Sequence, residues 1–171
     1  MTELKIFYNN KKITENEFLT PSETKEEPII KYNSNNDELY TLILYDPDSI
    51  YGTYIHWSTV NIPGDNISKG SIVIPYIGPH PPSGSGIHNY TFQLYKQTEK
   101  KDINPIGDRE ISIEDLKNKL QVSNLVSQFI FKSQYETGGR NQKSKMKKPK
   151  NKKSKKRTKR RNKKTKQHLI F

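Results

Sequence analysis

The chain has 171 residues, enough for one ordinary domain and not comfortably for two. It holds no cysteine, which excludes disulfides and thiolate metal sites, and its hydrophobic content of 30% is low for a globular protein. The net charge of +12 hides two unlike segments: residues 1–139 carry 13 Lys and Arg against 18 Asp and Glu, a net −5, while residues 140–171 carry 17 basic residues and no acid.

Met1–Asn10 is interrupted by Lys5 and Asn9-Asn10, so no signal-peptide h-region is read there and secretion by that route is not expected. Within it Leu4, Ile6 and Tyr8 alternate with polar residues, the pattern of a half-buried strand. Tyr40–Tyr45 is a nearly continuous apolar run, suited to a strand buried on both faces; it falls far short of the roughly 20 residues a membrane-spanning helix needs. The turn signal Asp46-Pro47-Asp48 is expected to end it. Tyr54–Ile62, rich in aromatic and β-branched residues, reads as a strand stopped by Pro63-Gly64. Ser71–Ile77 is a further short strand, followed by a Gly/Pro loop over Gly78–Gly86 that cannot be a regular element. In His88–Gln97, the residues His88, Tyr90, Phe92 and Leu94 share one face of a strand.

Ser112-Ile113-Glu114-Asp115 has the form of a capping box, with Leu116 and Leu120 following at helical spacing. Val126–Phe131 reads as a last strand. Many short strands, Pro/Gly turns and one late helix predict a mostly β fold, an antiparallel β-sandwich or barrel with one or two short helices. The domain is expected over residues 1–137 and a disordered polybasic tail over 138–171. Residues 140–167 hold no aromatic, no acid and, apart from Met146, no aliphatic side chain, so there is nothing to bury against their mutual repulsion.

Polar groups gather at the predicted strand ends. Asp46 and Asp48 follow a buried strand, His56 stands beside Trp57, and His88 and Tyr90 begin a strand after the loop. Such placement is a common way to build a pocket. In order and spacing, Asp46-Pro47-Asp48, His56-Trp57 and Asn61-Ile62-Pro63-Gly64 resemble one signature of the phosphatidylethanolamine-binding protein family. Tyr76-Ile77-Gly78-Pro79-His80-Pro81-Pro82 followed by Gly86-Ile87-His88-Asn89-Tyr90 resembles a second. The resemblance runs over about residues 3–136. It implies a PEBP-like β-sandwich with a small pocket for a phosphate-like anion or phospholipid head group. Matched by position, the ligand-binding candidates are Asp46, Asp48, His56, Gly78, Pro79, His88 and Tyr90. Two positions depart from the family pattern: Ser49-Ile50 stands where the family carries Ala-Pro, and Asn89 where it carries Arg, which removes a cation near the site.

The residues argue for an anion independently. Two imidazoles can donate hydrogen bonds and titrate near neutrality, a tyrosine hydroxyl adds a donor, and a Gly-rich loop exposes backbone N–H groups. An aspartate holding the second nitrogen of a histidine would fix its tautomer and favour its charged form. Each feature alone has a plainer reading: a turn at Asp46-Pro47-Asp48, a core histidine at His56, an ordinary loop at Gly78–Gly86. His80 is assigned no role. HExxH, GxSxG and any Cys are missing, and no Ser is clearly paired with a His. The resemblance implies ligand binding without turnover, so no enzyme, catalytic residue, metal site or cofactor is expected. Family members also act on kinases or proteases, which makes such a protein partner an expectation, for a monomer.

The tail is a polycation: Lys147, Lys148, Lys152, Lys153, Lys155, Lys156, Arg157, Lys159, Arg160, Arg161, Lys163 and Lys164 form its densest part. Nucleic acid and anionic membrane are the partners its charge suits, and a packaging role on nucleic acid is the alternative function. No aromatics interleave the charges, which argues against base stacking. A cytoplasmic location is expected, with nuclear targeting through the tail. The chain lacks alanine and is rich in Ile, Asn and Lys, which suggests an AT-biased genome of a protist or large DNA virus, with a virion location in the viral case.

Overall fold

A computed structural model describes residues 2–136. Its strands and helix are β1 (Lys5–Tyr8), β2 (Lys11–Lys12), β3 (Ile29–Lys31), β4 (Leu39–Ser49), β5 (Gly52–Pro63), β6 (Ser71–Ile74), β7 (Ile87–Lys96), α1 (Ile113–Leu120) and β8 (Leu125–Gln134). These described residues form one compact unit. The expectations for the tail, from Lys147 to Lys164, lie outside the described residues.

Two antiparallel sheets form, a small one in the order β2-β1-β3 and a large one in the order β6-β5-β4-β7-β8. The apolar run of β4 explains its central place: Tyr40, Thr41, Leu42, Ile43 and Leu44 are all buried, and a strand covered on both faces needs no alternation. Leu42 and Leu44, with Trp57, Tyr90, Phe92 and Phe131, pack against Ile6, Tyr8 and Ile30 of the small sheet and Leu4 just before it. On the opposite face Ile43, Ile55, Val73 and Tyr95 pack under Leu116 and Leu120 of α1. Each such side chain contributes about 1.5–3 kcal/mol by burial, and a one-residue slip would exchange the two faces. The fold is mostly β, a sandwich with its one described α-helix outside the large sheet.

The expected N-cap forms: Ser112 Oγ accepts from Asp115 N at 3.0 Å, while the Asp115 carboxylate accepts from the Ser112 hydroxyl at 2.7 Å. The expected stop at Asp46-Pro47-Asp48 does not occur. β4 runs through it to Ser49, because β5 stays paired alongside, and a register shift between Asp46 and Ser49 absorbs the proline that cannot donate. The turn falls instead at Ile50-Tyr51, before Gly52, whose φ of 94° needs a residue without Cβ. β6 ends at Ile74, ahead of Pro75, rather than at Ile77. The outer edge of β8 is covered by the chain at 15–19: Leu19 N donates to Lys132 O and Lys132 N to Glu17 O, both at 2.8 Å.

One buried polar cluster ties the crossover to the sheet. Asn61 takes a left-handed φ of 57° at a register shift in β5. Gln97 Oε1 accepts from Asn61 N at 2.7 Å and from Thr41 Oγ1 at 2.8 Å, and its Nε2 donates to Asn61 Oδ1 at 3.0 Å. Asn61 Nδ2 donates to Lys101 O at 2.8 Å. The segment this anchors leads on to Arg109, which clasps the end of β5 near His56.

A candidate anion-binding hollow at the strand ends

At the end of the large sheet where β4 turns into β5, the side chains enclose a hollow of about 300 Å³. Asp46, His56, His88 and Tyr90 line it, brought from three adjacent strands by the order β5-β4-β7. Tyr54, Ile50, Tyr51 and Ser49 line it from the hairpin, and His80, Pro81 and Pro82 from the loop before β7.

His88 is 1% exposed, and its Nδ1 lies 2.6 Å from Asp46 Oδ2. A carboxylate accepts there, so Nδ1 carries the proton and Nε2 is left as the reactive nitrogen. That Nε2 is buried and has no hydrogen-bond partner among the described residues. Asp46 Oδ1 in turn accepts from Asp48 N at 2.8 Å, which fixes the carboxylate.

His56 is 2% exposed and its Nδ1 lies 2.9 Å from Ile77 O, so this ring too carries its proton on Nδ1. Burial pushes its pKa down to about 4; the Ile77 carbonyl opposes the shift, and the charges of His80 and Arg109 add to it. His56 is therefore neutral at pH 7. Arg109 sits behind it, donating to Ile55 O at 3.0 Å, His56 O at 3.3 Å and Pro75 O at 2.9 Å. Burial first, and the Asp46 carboxylate second, hold the Tyr90 phenol far above its ordinary pKa, so its hydroxyl remains a donor. The rings stack edge-on, His56 against Tyr90 at 5.1 Å and against His80 at 5.5 Å between centroids.

Of the seven positions singled out in the sequence, Asp46, His56, His88 and Tyr90 thus share one hollow. Asp48, Gly78 and Pro79 are not in its lining, and the first two have backbone work instead. Asp48 Oδ2 accepts from Asn89 N and Nδ2, both at 2.8 Å, replacing ladder bonds that β4 and β7 lose beyond Tyr45 and Thr91. At Gly78 a Cβ would come within 2.5 Å of Thr24 O, so the loop crosses the chain at 20–27 where only glycine fits. Pro79 is buried. His80, given no role from the sequence, closes one side of the hollow with its Nδ1 donating to Gly78 O at 2.7 Å. Tyr54 was visible only as a strand aromatic; its position two residues before His56, on the same face, was the available signal.

Residues 6–136 match the family model described as phosphatidylethanolamine-binding protein. The chain belongs to that family. It is 31% identical over 148 residues to a Drosophila melanogaster protein provisionally named odorant-binding protein A5, covering 78% of this chain and 70% of that one. It is also 31% identical over 97 residues to the 26 kDa secreted antigen of Toxocara canis, covering 53% of this chain and 37% of that protein's length. Among solved structures it is similar to a carboxypeptidase Y inhibitor complexed with its cognate proteinase, with a TM-score of 0.65 at 22% identity, covering 78% and 83% of the two chains. The phosphatidylethanolamine-binding protein from Plasmodium vivax gives a TM-score of 0.64 at 19% identity, covering 79% and 86%. These two likenesses establish the fold.

Proposed function

We propose that the chain is a non-catalytic binding and regulatory protein whose hollow accepts a phosphate-like oxyanion, free or as a phospholipid head group. The observation that supports this most is His88 Nε2, buried and unpaired on a ring that lines the hollow while Asp46 holds the other nitrogen. An unpaired buried polar atom costs about 1–3 kcal/mol. A ligand oxygen pairing with the protonated Nε2 recovers that cost, and Tyr90 supplies a second donor. Nε2 is shielded from solvent, so the ligand has to part the side chains above it; His80 is the exposed ring at the mouth.

Binding without turnover is supported by the hydrogen bonds. Asp46 and His88 form a pair of the kind that activates a nucleophile, and Ser49 lines the same hollow. Yet Ser49 Oγ accepts from Tyr51 N at 3.4 Å, and His88 Nε2 has no partner, so no serine hydroxyl is hydrogen-bonded to His88 Nε2 among the described residues. The similar inhibitor–proteinase complex supports a protease as the kind of partner proposed here; a kinase is the alternative that the family resemblance implies.

The test is titration of the ¹⁵N-labelled full chain with O-phosphoethanolamine at physiological salt. Shifts should concentrate at Asp46, His56, His88 and Tyr90 and be lost in His88→Asn. Shifts confined to residues 140–171 would refute the reading.

A second reading concerns the tail alone and rests on its 17 basic residues without an acid. It contacts a polyanion, nucleic acid or anionic membrane, and directs an otherwise cytoplasmic protein towards the nucleus. A gel-shift series with and without residues 138–171 tests it; undiminished nucleic-acid binding by the shortened chain would count against it.

A further inference from the structure

The charge of the hollow limits what it can hold. Asp46 is its one carboxylate, and no lysine or arginine lines it. Arg109 is committed to three carbonyls behind His56. Asn89 brings an amide, bonded to Asp48, where a basic side chain would have brought a charge. Among the described residues lining the hollow, positive charge to balance a negative ligand can therefore come only from a proton.

Three imidazoles face the hollow, and the hydrogen bonds separate them. His56 and His80 each direct Nδ1 at a carbonyl. His88 alone is backed by a carboxylate, so a proton on its Nε2 leaves the Asp46–imidazolium pair neutral rather than adding a bare charge. Around it stand Asp46 from β4, Tyr54 and His56 from β5, His80 from the loop before β7, and Tyr90 from β7 itself. Asp48 is tied off by Asn89, and β8 sets the neutral Ser133 opposite His88. None of these gives the new Nε2–H an acceptor, because Nε2 has no partner among the described residues. The acceptor has to arrive with the ligand, which couples the proton to the anion.

We infer that the hollow selects a singly charged oxyanion, of the phosphodiester or carboxylate kind, and binds it with uptake of one proton at His88 Nε2. This rests on the reading of the hollow as an anion site and specifies its ligand. The proton comes from water or buffer, Nδ1–H stays on Asp46, and no bond to the ligand forms or breaks. A doubly charged phosphate would set an uncompensated charge beside Asp46, at a cost of about tenfold or more in affinity.

Calorimetry of the full chain with dimethyl phosphate, in two buffers of different ionisation enthalpy, reads the proton directly. About one proton should be taken up per ligand on the alkaline side, with affinity falling about tenfold per pH unit there. Methyl phosphate, doubly charged at alkaline pH, should bind about tenfold or more weakly than the diester. His88→Asn keeps an N–H for Asp46 but no protonable nitrogen; it should abolish the uptake and cut diester affinity at least about tenfold. The basic tail is common to all variants, and the wild-type buffer comparison needs no variant to fold. In His80→Gln the uptake should persist; its loss would assign the proton to His80 and overturn the inference. Dimethyl phosphate bound without proton exchange, or methyl phosphate bound more tightly, would overturn this inference and leave the anion site standing. If neither ester nor inorganic phosphate binds at any pH, both fall together.

Discussion

Replacing His56 by Asn removes a buried imidazole while keeping an N–H in reach of the Ile77 carbonyl. In the folded chain His56 is held down to about 4, chiefly by burial, against about 6.5 when unfolded. Between these values the unfolded state binds more protons, so acid favours unfolding. The stability contributed by a neutral His56 is whole above about pH 6.5 and is lost as pH falls through about 4. The gap amounts to about 3 kcal/mol, a large fraction of the roughly 5–15 kcal/mol that holds a domain together. Urea unfolding followed through the single tryptophan, Trp57, itself 1% exposed, measures it. At pH 7 the Asn variant should be less stable by about 1–2 kcal/mol from lost ring packing. Going to pH 4, wild type should lose about 3 kcal/mol more than the variant, so that their order reverses. A difference that stays constant across this range would refute the buried, neutral histidine.

Three further outcomes follow from the packing. Ser112→Ala removes the side chain that caps α1 and should cost about 1 kcal/mol, read as a fall of a few degrees in Tm. Gln97→Leu leaves the Thr41 hydroxyl and the Asn61 N–H buried and unpaired; about 3 kcal/mol or more should be lost in urea unfolding. Gly78→Ala forces a Cβ to within 2.5 Å of the Thr24 carbonyl, so about 1–3 kcal/mol should be lost and residues 20–27 should become easier to cleave in limited proteolysis.

The large sheet was legible where burial itself writes the pattern. β4 shows as a continuous apolar run because both its faces are covered, and β7 shows because His88, Tyr90, Phe92 and Leu94 turn to one side. Asp46-Pro47-Asp48 misled for the opposite reason: its local turn chemistry is overridden by β5, whose pairing is a tertiary fact. β2, two exposed lysines, and β3, three residues with one buried, carry no periodic signal.

The site divides the same way. Asp46, His56, His88 and Tyr90 stood out as polar groups on or at the ends of apolar strands. Asp48 and Gly78 were drawn in by their neighbours in sequence, although one replaces a ladder bond and the other permits a backbone crossing. Tyr51 and His80 reach the hollow from a turn and a loop, where spacing gives no hint of direction. The shared wall they make depends on where β4 turns, which the sequence alone misplaced.

A crystal structure of the chain soaked with O-phosphoethanolamine tests the central claim most directly. Phosphoryl density between His56 and His88, within hydrogen-bonding distance of His88 Nε2 and the Tyr90 hydroxyl, is the predicted result. A hollow left without ligand density at saturating concentration, or phosphate found only on basic surface side chains, would contradict it.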